Sequence, residues 1–179
     1  MEYRKVVFID PGTKMGWAKA ERTIGTPETS MGPRLSSGAM GLPTEPGPRV
    51  QAFWANLRGI VGVYTSTDHF VAWEEGAFSR HHVASRMYGM WEGLLLLFCE
   101  QNKIPYMAVN QSTIKAYARK EGFITKEIIL NGRPVKVTGK GLKPRPRPEW
   151  KLSSPEKLQE HEIDSRWGLE YILHKMGVR

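Results

Sequence analysis

Cysteine, acidic side chains and long apolar runs are all scarce in this chain of 179 residues. The single cysteine, Cys99, excludes an intrachain disulfide and is typical of a protein in a reducing compartment. No apolar run approaches the roughly 18 residues that a membrane-spanning helix needs. We therefore predict a cytoplasmic protein with no membrane partner. The length favours a single domain over 1–179.

The shortage of acidic residues leaves the chain basic. Twenty-six Lys and Arg residues face eighteen Asp and Glu residues, which gives a formal net charge of +8. A basic surface can simply aid solubility, but binding to a polyanion also requires one, because neutralised phosphates supply most of the non-specific affinity for nucleic acid. Charge therefore makes nucleic acid a favoured partner and assigns no activity.

Apolar periodicity and turn residues predict a first group of strands and then alternating helices and strands. The predicted strands are 5–9, 16–20, 35–40, 70–73 and 106–109, and the predicted helices are 49–64, 79–102, 111–120 and 155–175. Asn110 is expected to cap the third helix, and Ser154 followed by Pro155 is expected to begin the fourth. This order predicts a mixed α/β sheet with helices packed on it.

The segment 127–151 does not belong to that alternation. It begins with EIILNGRPVKV, in which apolar runs on both sides of Asn131-Gly132 predict a β-hairpin. The following KGLKPRPRPEWK is basic and rich in proline, which predicts an extended chain. Its cations either grip phosphates or belong to a solvated, flexible loop, and both alternatives stay open. They are Arg133, Lys136, Lys140, Lys143, Arg145, Arg147 and Lys151.

Acidic residues stand at positions that could meet in such a fold. Asp10 and Glu74 each end an apolar strand, and Asp164 follows His161 by three residues, on one face of a predicted helix. Clustered carboxylates repel one another unless a cation is bound, and oxygen ligands suit Mg²⁺ or Mn²⁺. Two such ions can promote in-line hydrolysis of a phosphodiester, which favours a nuclease. Each residue alone is more often an ordinary turn, strand end or histidine.

Five motifs, in this order, resemble the RuvC family of Holliday-junction resolvases, with the greatest likeness to its phage-type members. The motifs are FIDPGTKMGWA, VAWEEGAF, the long helix with Tyr88-Gly89 and Gly93, IPYMAVNQSTIKAYA and HEIDSRWGL. The resemblance covers most of the chain and weakens in 20–48 and 127–155. It implies a ribonuclease-H-like fold, usually a homodimer packed through the 79–102 helix, and divalent-metal-dependent, symmetric nicking of a four-way DNA junction.

The resemblance also implies roles for individual residues. Asp10, Glu74, His161 and Asp164 match the family's metal ligands, here for two Mg²⁺ or Mn²⁺ ions, and Lys115 resembles a lysine near the scissile phosphate. Lys126 falls where phage-type members carry a second lysine. Phe78 or a neighbour is a candidate to stack at the junction centre, with a core Phe as the alternative. The expected DNA-contacting residues are Lys115, Lys126, Phe78, Arg80, Lys140, Lys143, Arg145 and Arg147.

Some features leave alternatives open. Glu75 could be the ligand in place of Glu74, because alternate strand residues face opposite sides, although the spacing to the helix glycines favours Glu74. After the last acid, Ser165 is followed by Arg166 and Trp167, where family members usually have a small residue. The insertion 127–151 has no clear family counterpart. The alternative functions are a less selective nuclease for flaps or RNA–DNA hybrids, and a catalytically silent protein that binds branched DNA.

Overall fold

The computed structural model describes residues 3–22, 34–62, 68–76, 82–124, 126–130, 133–137 and 142–178, with the backbone alone at 82–85, 126–130 and 133–137. Its strands are β1 (Lys5–Asp10), β2 (Lys14–Glu21), β3 (Arg34–Gly41), β4 (His69–Glu75), β5 (Tyr106–Asn110), β6 (Lys126–Leu130) and β7 (Arg133–Val137). Its helices are α1 (Pro46–Val61), α2 (His82–Asn102), α3 (Gln111–Lys120) and α4 (Gln159–Lys175), with a 3₁₀ turn at Glu156–Leu158.

The main sheet has five strands in the order β3-β2-β1-β4-β5. β2 pairs antiparallel with both β1 and β3, whereas β4 pairs parallel with both β1 and β5. This arrangement confirms the predicted mixed α/β sheet flanked by helices. Because β1, β4 and β5 run in the same direction, their carboxyl ends lie at one edge of the sheet, where the acids Asp10 and Glu74 stand.

Helices cover both faces of this sheet, which explains why β1 is buried almost throughout its length. Val6 and Phe8 pack with residues of α3 and α4, including the fully buried Trp167. Val7 and Ile9, on the opposite face, pack with residues of α1 and α2. Asp10 therefore stands at the end of a strand that is fixed between two apolar layers.

The start of the last helix differs from its prediction. α4 begins at Gln159 rather than at Pro155, and Ser154 is not its cap. The Ser154 hydroxyl instead accepts a hydrogen bond from the backbone N–H of Ala39 in β3, at 2.6 Å. The buried carboxylate of Glu162 accepts from the backbone N–H groups of Ser153 and Ser154, at 3.0 and 2.8 Å. Ser154 thus attaches the segment that precedes α4 to strand β3 of the sheet.

Two other local predictions are confirmed. The Asn110 side chain accepts a hydrogen bond from the backbone N–H of Ser112, at 2.9 Å, and so caps α3. β6 and β7 pair antiparallel with Leu130 opposite Arg133, which is the predicted hairpin. Its turn, Asn131-Gly132, lies outside the described residues.

The proline-rich residues 142–151, which we call the strap, lie against α4. The Trp167 indole donates to the backbone carbonyl of Arg145 at 2.9 Å, and Arg166 donates to the carbonyl of Lys151 at 3.2 Å. The strap has no helix or strand, as predicted, but these contacts do not fit a solvated loop. Arg166 and Trp167, the two bulky residues that follow Ser165, are among the residues that hold it.

None of the helices in the described part of the chain has the length and hydropathy to cross a bilayer.

The packing of α4 on β1 predicts a large effect at Gly168. A Cβ added there would lie 2.3 Å from a ring carbon of Phe8, which is fully buried. We expect Gly168→Ala to lower the free energy of unfolding by about 1–3 kcal/mol, measured by urea denaturation. Gly59→Ala is the control, because an added Cβ on this α1 residue meets nothing within 4 Å. A Gly168→Ala protein as stable as the parent would contradict this packing.

Candidate active site

The carboxyl ends of β1 and β4 bring the first two acids together. Ile9 pairs with Trp73 in the parallel register, so the next residues along, Asp10 and Glu74, are neighbours at the sheet edge. The Glu74 side chain is half-buried, whereas Glu75 is exposed. The strand therefore turns Glu74 toward Asp10, which supports Glu74 over Glu75.

α4 adds two more side chains to this edge. His161 Nδ1 lies 3.1 Å from Asp10 Oδ2, and Asp164 lies close enough to Asp10 for their charges to interact. Gly16, paired with Asp10 in the antiparallel register, allows this approach. A Cβ at Gly16 would lie 2.2 Å from the backbone oxygen of His161, so any other residue would push α4 away.

α2 and α3 complete the surroundings of the acids. Lys115 on α3 interacts electrostatically with both Glu74 and Asp164, and Gln111 hydrogen-bonds Glu74. Tyr88 on α2 interacts with the charges of Asp10 and Glu74. The structure thus gathers all five predicted catalytic residues, which are Asp10, Glu74, Lys115, His161 and Asp164.

Gln111 and Tyr88 were not predicted as site residues. Gln111 directly follows β5, a parallel strand whose carboxyl end meets the same edge, and this position could have indicated it. Tyr88 appeared only as part of the pattern of the long helix. A Cβ at Gly76 would lie 2.7 Å from the Tyr88 side chain. The glycine directly after β4 could therefore have indicated that another side chain packs closely against this point of the backbone.

The electrostatics of the cluster indicate a shortage of positive charge. Burial raises the pKa of Glu74 to about 8, and the charges of Asp10 and Asp164 add to the shift. Burial likewise raises the pKa of Asp164 to about 7, with a contribution from Asp10. Lys115 opposes both shifts. A hydrogen bond to Asp10 raises the pKa of His161, so its cationic form offsets part of the negative charge.

The donor atoms fit a divalent cation in their chemistry. Three carboxylates that destabilise one another, with one imidazole, form an oxygen-rich set of the kind that Mg²⁺ and Mn²⁺ accept. Within the described residues, no three His, Cys, Asp or Glu side chains are arranged so that they could hold a metal ion as they stand. Asp10, Glu74, His161 and Asp164 would therefore have to rearrange their side chains before they could hold a metal ion.

The predicted DNA-contacting residues beyond Lys115 have different surroundings. Lys143 is exposed and forms an ion pair with Glu160, and Arg145 is exposed. Arg147 is mostly enclosed, with its guanidinium 3.1 Å from Glu121 and over the Phe123 and Trp167 rings. Lys126 lies in β6, where only the backbone is described. The residues that lie outside the described ranges are Phe78, Arg80 and Lys140.

The raised pKa values predict how pH affects the stability of the metal-free protein. Glu74 and Asp164 shift from ordinary values of 4.5 and 3.8 to about 8 and about 7 on folding. The folded state therefore binds more protons in this window, and stability falls as pH rises from about 4 to about 8. His161, whose pKa is also raised, has the same sign. We expect a lower Tm at about pH 8 than at about pH 6 in EDTA.

Divalent metal should reverse that loss, because it replaces the bound protons. We expect Mg²⁺ or Mn²⁺ to raise the Tm more at about pH 8 than at about pH 6. Asp164→Asn, which removes one repelling charge, should raise the metal-free Tm and reduce the gain from metal. A metal-induced gain that is independent of pH and unchanged in Asp164→Asn would place the metal elsewhere.

No protein-family model and no curated protein matches this sequence. Two solved structures of Thermus thermophilus RuvC match its fold. One, in complex with a Holliday junction substrate, has 21% sequence identity and a TM-score of 0.58, and the other has 20% identity and a TM-score of 0.55. In both cases 97% of this chain and 97% of the other chain are covered. The five-stranded mixed sheet with flanking helices is the ribonuclease-H-like fold of these RuvC structures.

Proposed function

We propose that this protein is a divalent-metal-dependent endonuclease that resolves four-way DNA junctions by paired, symmetric nicks. The observation that carries the proposal is the convergence of Asp10, Glu74 and Asp164, from three separate elements, beside Lys115. The resemblance of the five sequence motifs adds support. So does the fold shared over 97% of the chain with a RuvC that was solved with a Holliday junction substrate. Phage recombination or genome packaging would require such an activity.

The proposed chemistry divides among the residues by their charge. Asp10, Glu74, His161 and Asp164 would hold two Mg²⁺ or Mn²⁺ ions, which when bound supply activation of the attacking water and stabilisation of the leaving oxygen. Lys115 would neutralise charge on the scissile phosphate, because its ammonium already interacts with two of the acids. Gln111 would keep Glu74 oriented through their hydrogen bond.

Paired nicks require two active sites, so the proposal includes a homodimer packed through α2. On that helix Leu97 is 48% exposed. The exposed cations Lys143 and Arg145, with Lys126, Phe78, Arg80 and Lys140, remain the predicted contacts to the arms of the junction. The net charge of +8 suits such a partner.

The test is a comparison of cleavage rates on a four-way junction, a flap and an RNA–DNA hybrid, each with Mg²⁺, Mn²⁺ or EDTA. We expect metal-dependent cutting that is fastest on the junction, with the two nicks at symmetric positions. Faster cutting of flaps or hybrids would instead establish a less selective nuclease. Tight junction binding without any metal-dependent cutting would establish a binding protein.

A further inference from the structure

Two lysines flank Glu160 on the α4 side of the acid cluster. Lys143, from the strap, forms an ion pair with the Glu160 carboxylate and also interacts with the charge of Asp164. Lys14, at the start of β2, interacts with Glu160, and its ammonium donates to the backbone oxygen of Lys157 at 3.4 Å. Two ammonium groups therefore lie near the same carboxylate on α4, and one of them also interacts with an acid of the cluster.

The backbones that carry these lysines are held firmly. Lys14 pairs with Gly41 in the β2–β3 register. Lys143 is followed by the buried Pro144 and by Arg145, whose backbone N–H donates to Phe123 at 3.0 Å and whose carbonyl accepts from Trp167 at 2.9 Å. The strap thus presents Lys143 at a set place beside the cluster.

Stability alone does not explain this arrangement. The side chains of Lys143 and Glu160 are 66% and 50% exposed. An ion pair as exposed as this adds little to stability, because water and salt screen it. Lys14 is exposed as well. Two adjacent, solvent-facing ammonium groups suit a phosphate, which accepts hydrogen bonds from several lysines at once.

We propose that Lys14 and Lys143 form a second phosphate-binding site that holds the nucleic-acid backbone on the α4 side of the acid cluster. This inference rests on the proposed function, in which Lys115 contacts the scissile phosphate on the α3 side. When no nucleic acid is bound, the Glu160 carboxylate interacts with the two ammonium groups. When nucleic acid binds, a backbone phosphate replaces this carboxylate. The strand would then pass over the acids between cations of α3 and of the strap.

The test is the salt dependence of DNA binding, measured by fluorescence anisotropy in EDTA with labelled four-way junction and duplex. We expect K14Q/K143Q to bind roughly tenfold more weakly at about 50 mM salt and, because the two lysines share one phosphate, to reduce the slope of log K against log salt by about 1. The control is Arg58→Gln, an exposed cation of α1 on the opposite face of the sheet, which should leave the slope unchanged. Matching Tm values would show that both variants are folded.

A second variant tests the part played by Glu160. Glu160→Gln removes the carboxylate that competes with phosphate, so binding should tighten about threefold at low salt. Weaker binding by Glu160→Gln, or an unchanged slope in K14Q/K143Q, would overturn the second phosphate site. If the wild-type protein still cuts junctions in that case, the proposed function stands. If the slope falls as expected but wild type cuts no DNA, the phosphate site stands and the proposed function fails.

Discussion

Asp10→Asn is expected to lower the rate of metal-dependent junction cleavage by on the order of 10³-fold, while junction binding stays equal or becomes tighter. Asp10 lies at the centre of the cluster, since it contacts His161 at 3.1 Å and its charge acts on both Glu74 and Asp164. Its loss would therefore disturb every other candidate ligand. Binding would not suffer, because a carboxylate repels phosphate.

The other acids allow a matched comparison. Glu74→Gln and Asp164→Asn should show losses similar to that of Asp10→Asn, measured as single-turnover rates with saturating enzyme and Mn²⁺. Glu75→Gln is the control, because Glu75 is adjacent in sequence but exposed on β4. We expect it to keep nearly full activity. Full activity in Asp10→Asn, or a loss in Glu75→Gln equal to that in Glu74→Gln, would remove the assignment of the metal site.

Arg147→Ala is expected to destabilise the protein by about 3 kcal/mol, which corresponds to a fall in Tm of about 6–12 °C for a chain of this size. Its side chain is only 18% exposed, and its guanidinium lies 3.6 Å from Glu170, which is 4% exposed. The same guanidinium lies 4.9 Å from the Phe123 ring centre and 5.0 Å from that of Trp167. Alanine would remove a buried ion pair and two cation–π contacts at once.

This prediction separates a strap anchor from a phosphate contact. If Arg147 contacts DNA, its replacement should change the salt dependence of binding and leave the Tm unchanged. If Arg147 anchors the strap, its replacement should lower the Tm and leave the salt dependence of binding unchanged. Arg145→Ala is the control from the same segment, and its Tm should stay close to that of the parent, because contacts of an exposed side chain are screened by water and salt. Arg147→Lys should be intermediate, since lysine keeps the charge but not the planar group that stacks on the rings. Thermal unfolding of the three variants measures the difference, and an Arg147→Ala protein with parent stability would refute the anchor.

The sequence was sufficient for features that depend on local chemistry. Alternation and turn residues identified the strands of the main sheet and the hairpin, and the Asn110 cap required only its own side chain and a nearby N–H. The acids stand at strand ends and on one helix face, which can converge, but their assignment to one site came from the resemblance of the motifs to the RuvC family. The strand, hairpin and cap predictions needed no knowledge of distant contacts.

The errors arose where a distant partner competes for a local group. Ser154 resembles a helix cap, but the hydroxyl accepts from Ala39 in β3 and the backbone N–H binds Glu162. Arg147 resembles a solvated cation of a basic loop, but Trp167 and Glu170, more than nineteen residues away, enclose it. No local pattern reveals such contacts, because they exist only once α4 and the strap have packed.

The most direct measurement is an anomalous difference map from crystals soaked in Mn²⁺, collected near the manganese absorption edge. The account predicts manganese peaks at the carboxyl edge of the sheet, with Asp10, Glu74 and Asp164 as ligands, and their loss in Asp10→Asn crystals. Manganese bound elsewhere, or absent from this edge while the same preparation cuts four-way junctions, would contradict it.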